Sequence, residues 1–110
     1  MGEPRTAEVI DYLREALKRY GVAVQRMVLF GSRARGNASP DSDIDVLVLS
    51  DSFSGKDTFE RADLVRHAAA ETIEKFVVPL DVMPMTPEEY EAGASLVAQY
   101  ARDGEVLYRA

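Results

Sequence analysis

Met27-Val28-Leu29-Phe30-Gly31-Ser32 is followed, ten residues later, by Asp43-Ile44-Asp45-Val46-Leu47-Val48-Leu49. Each run is apolar, too short for a helix and long enough for a strand. Val24 to Phe30 therefore reads as one strand that stops abruptly at Gly31-Ser32. Asp43 to Leu49 reads as a second, buried on both faces beyond its polar start. Between them, Arg33 to Gly36 has room for about one turn of helix. Gly36-Asn37-Ala38-Ser39-Pro40-Asp41-Ser42 is turn chemistry, since glycine, asparagine and proline each favour chain reversal for a separate steric reason.

Upstream, Val9, Ile10, Leu13, Leu17 and Tyr20 recur at steps of three and four, which predicts an amphipathic helix over Arg5 to Tyr20 stopped by Gly21. Downstream, Asp51 to Lys56 is a polar loop, and Asp57 with Glu60 forms a capping box that opens a second helix. Its expected buried stripe is Phe59, Ala62, Val65, Ala69, Ile73 and Phe76. Val77 to Met83 reads as a third strand, with Pro79 near its beginning or on an edge. Thr86-Pro87-Glu88-Glu89 starts a third helix. Gly93 interrupts that helix, Ser95 to Arg102 continue it, and Gly104 ends it before a last strand at Val106 to Tyr108. No internal repeat or low-complexity segment is visible. This order predicts one α/β (α+β) domain over residues 1–110: a mixed, mainly antiparallel sheet of about four strands with helices packed chiefly on one face.

Composition narrows the function. The 110 residues suit a single core, and 46% apolar with 29% charged residues is a soluble globular mix, so a cytoplasmic protein is expected. With no cysteine and one histidine there is neither a disulfide framework nor the usual zinc ligand set, so any metal must be held by oxygen. Lys+Arg 13 against Asp+Glu 19 gives a net charge of −6, which disfavours direct nucleic-acid binding. The apolar runs fall far short of a membrane span, and no anchor or export signal is expected.

The chemistry lies in the opening motif. Residues two apart on a strand share a face, so Asp43 and Asp45 present carboxylates about 7 Å apart at their α-carbons. Such a pair repels unless a cation or hydrogen-bonding neighbours intervene; taken alone, an Asp-x-Asp is also an ordinary surface feature. A strand running straight into Gly31-Ser32 offers backbone N–H groups to an anion, and glycine lets a phosphate approach closely. Ser32 is equally suited to a plain N-cap. Jointly, a Gly-Ser and an Asp-x-Asp at fixed spacing arise by chance in about one in 10³ chains of this length, taking a frequency of about 0.07 per position. Asp81 stands in the middle of an apolar strand, where an unpaired carboxylate is costly. It either pairs with an arginine or completes a three-carboxylate cluster for Mg²⁺ or Mn²⁺. Such a cluster beside a phosphate-binding turn suits in-line nucleotidyl transfer.

On these residues the chain resembles the polymerase-β-type nucleotidyltransferase superfamily. Its size and the string Gly-Ser-Arg-Ala-Arg-Gly are similar to the minimal nucleotidyltransferases, the antitoxin partners of HEPN-domain toxins. The resemblance covers nearly the whole chain. It implies that Gly31 and Ser32 hold the triphosphate of the incoming nucleotide, that Asp43 and Asp45 bind the metals, and that Asp81 binds the second metal and helps deprotonate the acceptor hydroxyl. The implied cofactor is Mg²⁺ or Mn²⁺, the donor ATP, and the acceptor a tyrosine of the toxin. Arg33 is a further nucleotide-binding candidate, since a guanidinium screens triphosphate charge. Arg33 and Arg35 can instead pair with Asp41 or an acidic helix. A non-catalytic antitoxin that acts by occlusion, and a small-molecule nucleotidyltransferase of the antibiotic-modifying kind, remain alternatives. His67 reads as a surface or core residue, and Met27, Met83 and Met85 as core filler. Tyr90, Tyr100 and Tyr108 are expected to pack on the sheet.

Overall fold

The computed structural model describes residues 3–31, 43–93, 98–99 and 104–109. The first helix, α1 (Glu3–Arg19), buries Val9, Ile10, Leu13, Ala16 and Leu17, a stripe at the 3.6-residue period. It ends as the sequence requires. The Gly21 N–H donates to the Lys18 carbonyl and the Val22 N–H to the Leu17 carbonyl, with Gly21 at φ +89°.

Four strands form one sheet in the order β3-β2-β1-β4: β1 (Arg26–Phe30), β2 (Ile44–Leu49), β3 (Leu80–Met85) and β4 (Glu105–Arg109). The β1 strand pairs antiparallel with β2 and with β4, while β2 pairs parallel with β3. A parallel neighbour requires a crossover, which α2 (Thr58–Phe76) supplies. The helix α3 (Pro87–Ala92) follows β3.

Strand alternation divides the core in two. Met27, Leu29, Ile44, Val46 and Val48 face α1 and α2, joining Leu13, Leu17, Val65 and Ala68. Val28, Leu47, Leu49 and Met85 face the opposite way, against Ala98 and Tyr90, with Phe30 and Met83 beside them. The expected one-sided helix layer is thus α1 and α2, and the short α3 closes part of the second face. Among the described residues, no helix is long and apolar enough to cross a membrane.

Four details differ from the sequence expectation. The buried face of α2 is Val65, Ala68 and Thr72, with Leu64 and Phe76 partly buried, whereas Phe59 is 84% exposed and Ile73 38%. The expected stripe holds at Val65 and Phe76 and departs at Phe59, Ala62 and Ile73, which are exposed. The reason is Thr72, whose hydroxyl donates to the Ala68 carbonyl at 2.8 Å and so sits in the core as a satisfied group. The stretch 51–56 is not wholly a polar loop: Asp51–Phe53 is a 3₁₀ turn capped by Ser50, and Phe53 is fully buried. Third, β3 begins at Leu80 because Val77 ends α2 in the left-handed conformation, at φ 52° and ψ 52°. Last, β4 runs from Glu105 to Arg109, longer than the three residues read from sequence. The turn expected over 36–42 lies outside the described residues. So does the continuation of the third helix, apart from the helical residues 98 and 99.

Both capping boxes form as expected, and the second extends into a strut. Glu89 accepts from the Thr86 N–H at 3.0 Å and takes both ends of the Arg61 guanidinium, at 2.7 and 3.0 Å, tying α2 to α3. The Arg61 hydrogen bond, helped by the Thr86 backbone, holds the Glu89 carboxyl at about 2.

Two predictions follow from this packing. A β-branched residue in the left-handed region costs roughly 1–2 kcal/mol, and Val77 recovers none of it by burial, being 84% exposed. After allowing for glycine's larger unfolded-state entropy, Val77→Gly is expected to raise stability by about 0.5–1 kcal/mol in urea unfolding. Because the Glu89 carboxyl is depressed on folding, its contribution is complete above its ordinary value of 4.5 and disappears as pH falls toward 2. With the Glu89 side chain 41% exposed, solvent screening holds that contribution to about 1 kcal/mol. Arg61→Met is expected to lose this amount at pH 7, and the difference from the parent should close between those two pH values when urea midpoints are measured.

Candidate active site

The end of β1, the start of β2 and the start of β3 meet at one edge of the sheet. Phe30 stands across from Asp45 in the antiparallel ladder, and Asp45 stands beside Asp81 in the parallel one. Because Ile44 and Val46 turn into the α1–α2 core, Asp45 points to the opposite face, as Asp81 does between Leu80 and Val82. Neighbouring strands lie about 4.8 Å apart, so the two carboxylates start side by side. Asp43 precedes β2 by one residue, with the same face parity as Asp45, and is exposed. Asp81 is also exposed, while Asp45 is half-buried between them.

Gly31 is joined to this row by sterics. Its φ is +78°, and a Cβ at that position would collide with Oδ2 of Asp45 and lie 3.4 Å from its Cγ. Glycine is therefore required twice, for its backbone angle and for the approach of the Asp45 carboxylate. The two halves of the sequence motif, separated by ten residues, thus meet as a glycine backbone pressed against a carboxylate.

The electrostatics follow from this placement. Burial pushes the Asp45 carboxyl above its usual range, and the neighbouring charges of Asp81 and then Asp43 push it in the same direction. Among the described residues, no cationic side chain contributes to the balance at Asp45. Among the described residues, no three carboxylate, imidazole or thiol groups already enclose a single point as a metal shell would. The three aspartates instead form an open row of hard oxygen donors at a sheet edge, a donor set that fits Mg²⁺ or Mn²⁺ rather than a softer metal.

Of the residues singled out from sequence, Gly31, Asp43, Asp45 and Asp81 are brought to one place. Ser32 and Arg33 lie outside the described residues, as do Arg35 and Asp41. His67 is exposed and stacks on Tyr20, with ring centroids 5.5 Å apart, on the α1–α2 side of the molecule. Phe30 was not singled out, yet it supplies the apolar neighbour of Asp45 on the β1 side. The signal was available, because strand alternation puts residue 30 on the face of Val28.

Comparison with known proteins agrees with this fold. The chain is similar to a protein from Sulfolobus solfataricus assigned as a nucleotidyltransferase: TM-score 0.74 and 18% identity over 98% of this chain and 84% of the other. It is also similar to a toxin–antitoxin crystallised with AMP-PNP, with TM-score 0.63 and 21% identity over 91% of this chain and 73% of that one. A mutant of the toxin–antitoxin MntA-HpeT gives TM-score 0.58 and 18% identity, over 87% and 69% of the respective chains. At such identities these likenesses speak for the fold. No curated protein matches the chain. The family model for the nucleotidyltransferase domain matches residues 10–102, a span that holds Gly31 and all three aspartates, and the chain belongs to that family.

Proposed function

We propose that the protein transfers AMP from ATP to a tyrosine hydroxyl of a HEPN-type toxin and acts as the antitoxin of that pair. The observation that carries the proposal is Asp45, held between the Gly31 backbone and the Asp81 carboxylate. Phosphate and carboxylate ligands of one cation have to converge in this way for a triphosphate to be bound and attacked at a single place. Two similar structures that are toxin–antitoxin assemblies, one of them with an ATP analogue, support the choice of donor and partner.

The missing side chain of Gly31 lets the Asp45 carboxylate lie against its backbone, so a phosphate bound by the Gly31-Ser32 motif would share a cation with that carboxylate. Asp43 and Asp45 would hold Mg²⁺ or Mn²⁺, with Asp81 as the third ligand. When bound, these ions neutralise the triphosphate and stabilise the attacking and leaving oxygens. Asp81, exposed on β3 at the end of the row, takes the proton of the acceptor hydroxyl. The freed oxygen attacks the α-phosphorus, the bond to the β-phosphate oxygen breaks, and pyrophosphate leaves with the electron pair. Ser32 and Arg33 are assigned to the triphosphate on the strength of the sequence motif.

Asp45→Asn is expected to abolish label transfer from ATP to the toxin. It should leave the fold intact, with a Tm no lower than the parent's, because it removes a carboxylate that two like charges oppose. Mg²⁺ should raise the Tm of the parent but not of this variant. An Asp45→Asn protein that still labels the toxin would overturn the catalytic assignment. One that suppresses the toxin without labelling it would establish occlusion as the mode of neutralisation. Asp81→Asn is expected to slow transfer by about 10²–10⁴-fold through loss of the proton acceptor. Gly31→Ala should cost about 1–2 kcal/mol in urea unfolding, from the left-handed backbone and the displaced Asp45, and should depress transfer as well.

A further inference from the structure

The outer edge of β3 is shaped to take another strand. The Ile44 N–H donates to the Pro79 carbonyl at 2.9 Å, and the Ser50 N–H to the Met85 carbonyl at 3.0 Å. With the register fixed from Ile44↔Leu80 to Leu49↔Met85, the alternation of a parallel ladder turns the backbone groups of residues 79, 81, 83 and 85 toward β2. Those of Leu80, Val82 and Pro84 therefore point away from the sheet. This is why a proline is tolerated inside β3: its missing N–H falls on the outward side. Among the described residues, no strand pairs with this edge.

Alongside it runs a cleft of about 440 Å³ between β3 and the first half of α2, lined by Thr58, Ala62 and Val65 on one side and Val82, Met83 and Met85 on the other. Residues of both faces of β3 line it, so it follows the edge itself. The single charge on its wall is Arg61, and that guanidinium is committed to Glu89 and to the Lys56 carbonyl at 2.9 Å. On the adjoining flank of α2, Asp63 and Arg66 pair with each other at 3.3 Å beside exposed Phe59. In a chain of net charge −6, this face is electrically balanced and apolar.

We infer that this edge and cleft take a short, neutral, extended segment of the acceptor protein by strand addition, with one apolar side chain seated between α2 and β3. A strand, unlike a helix, has backbone groups to give Leu80 and Val82. The electrical balance of the cleft matches an uncharged segment, and Pro84 ends the pairing after a few residues. The edge is continuous with the site, because Asp81 lies between Leu80 and Val82. A segment paired there carries its own hydroxyl-bearing residue to the carboxylate row. The inference rests on the nucleotidyl-transfer reading for its purpose, and its test separates the two.

The probe is the blocked peptide acetyl-Thr-Val-Tyr-Val-Thr-amide, titrated into the ¹⁵N-labelled full chain. The expected result is a saturable shift of the Leu80, Val82 and Ala62 amides, with slowed hydrogen exchange at Val82. Ala62→Glu puts an unpaired carboxylate at the mouth of the cleft, on an exposed helix position, and should weaken the peptide about tenfold; N-methylation of the peptide's central residue should do the same without altering the protein. No shift at these amides up to about 5 mM peptide, or affinity unchanged by both modifications, overturns the inference. If the peptide binds as expected while Asp45→Asn still transfers label from ATP to the toxin, the docking edge stands and the catalytic assignment falls.

Discussion

A carboxylate wedged between a glycine backbone and a second carboxylate is the constraint on which the site depends. Among the described residues, burial and two like charges all raise the cost of the ionised form of Asp45. It is held there because β2 is an inner strand, bonded to β1 on one side and β3 on the other, so its first residues cannot move away from Phe30 or Asp81. The fold thus holds like charges together at one edge, where a divalent cation would relieve their repulsion. The rest of the molecule, with two helices on one face and a buried seam of Val28, Leu47 and Leu49 on the other, fixes that inner strand in place.

Much of this is legible from residue order. The strand ending in Gly31-Ser32, the strand opening at Asp43-x-Asp45 and the in-strand Asp81 mark the site, because each breaks an apolar run with a residue that has no reason to be there for packing. Helix ends were equally plain, since Asp57 with Glu60 and Thr86 with Glu89 carry their capping chemistry in the side chains themselves. What could not be read was the phase of α2. Counting Phe59 and Ile73 as core follows hydrophobicity alone, yet the face that packs includes Thr72, a threonine that bonds its own helix backbone and is cheap to bury. Phe53 was hidden for the converse reason, a single large side chain in a polar stretch that only tertiary packing pulls inward. Residue order leaves Asp81 open between an arginine partner and the carboxylates of β2; its parallel register beside Asp45 depends on where α2 stops, and Val77 decides that by a backbone conformation its side chain disfavours.

The two edges of the sheet differ in how they are managed. At β3 a proline inside the strand limits how many residues can join it, a usual device against uncontrolled edge-to-edge association. Its placement at the far end, with Leu80 and Val82 left competent beside Asp81, restricts pairing to a short stretch next to the carboxylates and not along the whole edge. The Arg61–Glu89 strut closes the other end of the same cleft and removes its charge from the wall. The same few residues thus limit pairing along the edge and shape the cleft beside it.

The sheet's single parallel pair also sets an order of assembly. β1 and β2 belong to neighbouring stretches of chain and join antiparallel, whereas β2 meets β3 only after the whole of α2 has been made and laid across them. Contacts between distant parts of a chain form late, because loop closure must precede them. By that argument Asp81 reaches Asp45 later than β1 reaches β2, and against their mutual repulsion. A chain still emerging from the ribosome, or one truncated within the crossover helix, holds Gly31, Asp43 and Asp45 without Asp81, so the carboxylate row is complete only once the crossover has been laid down.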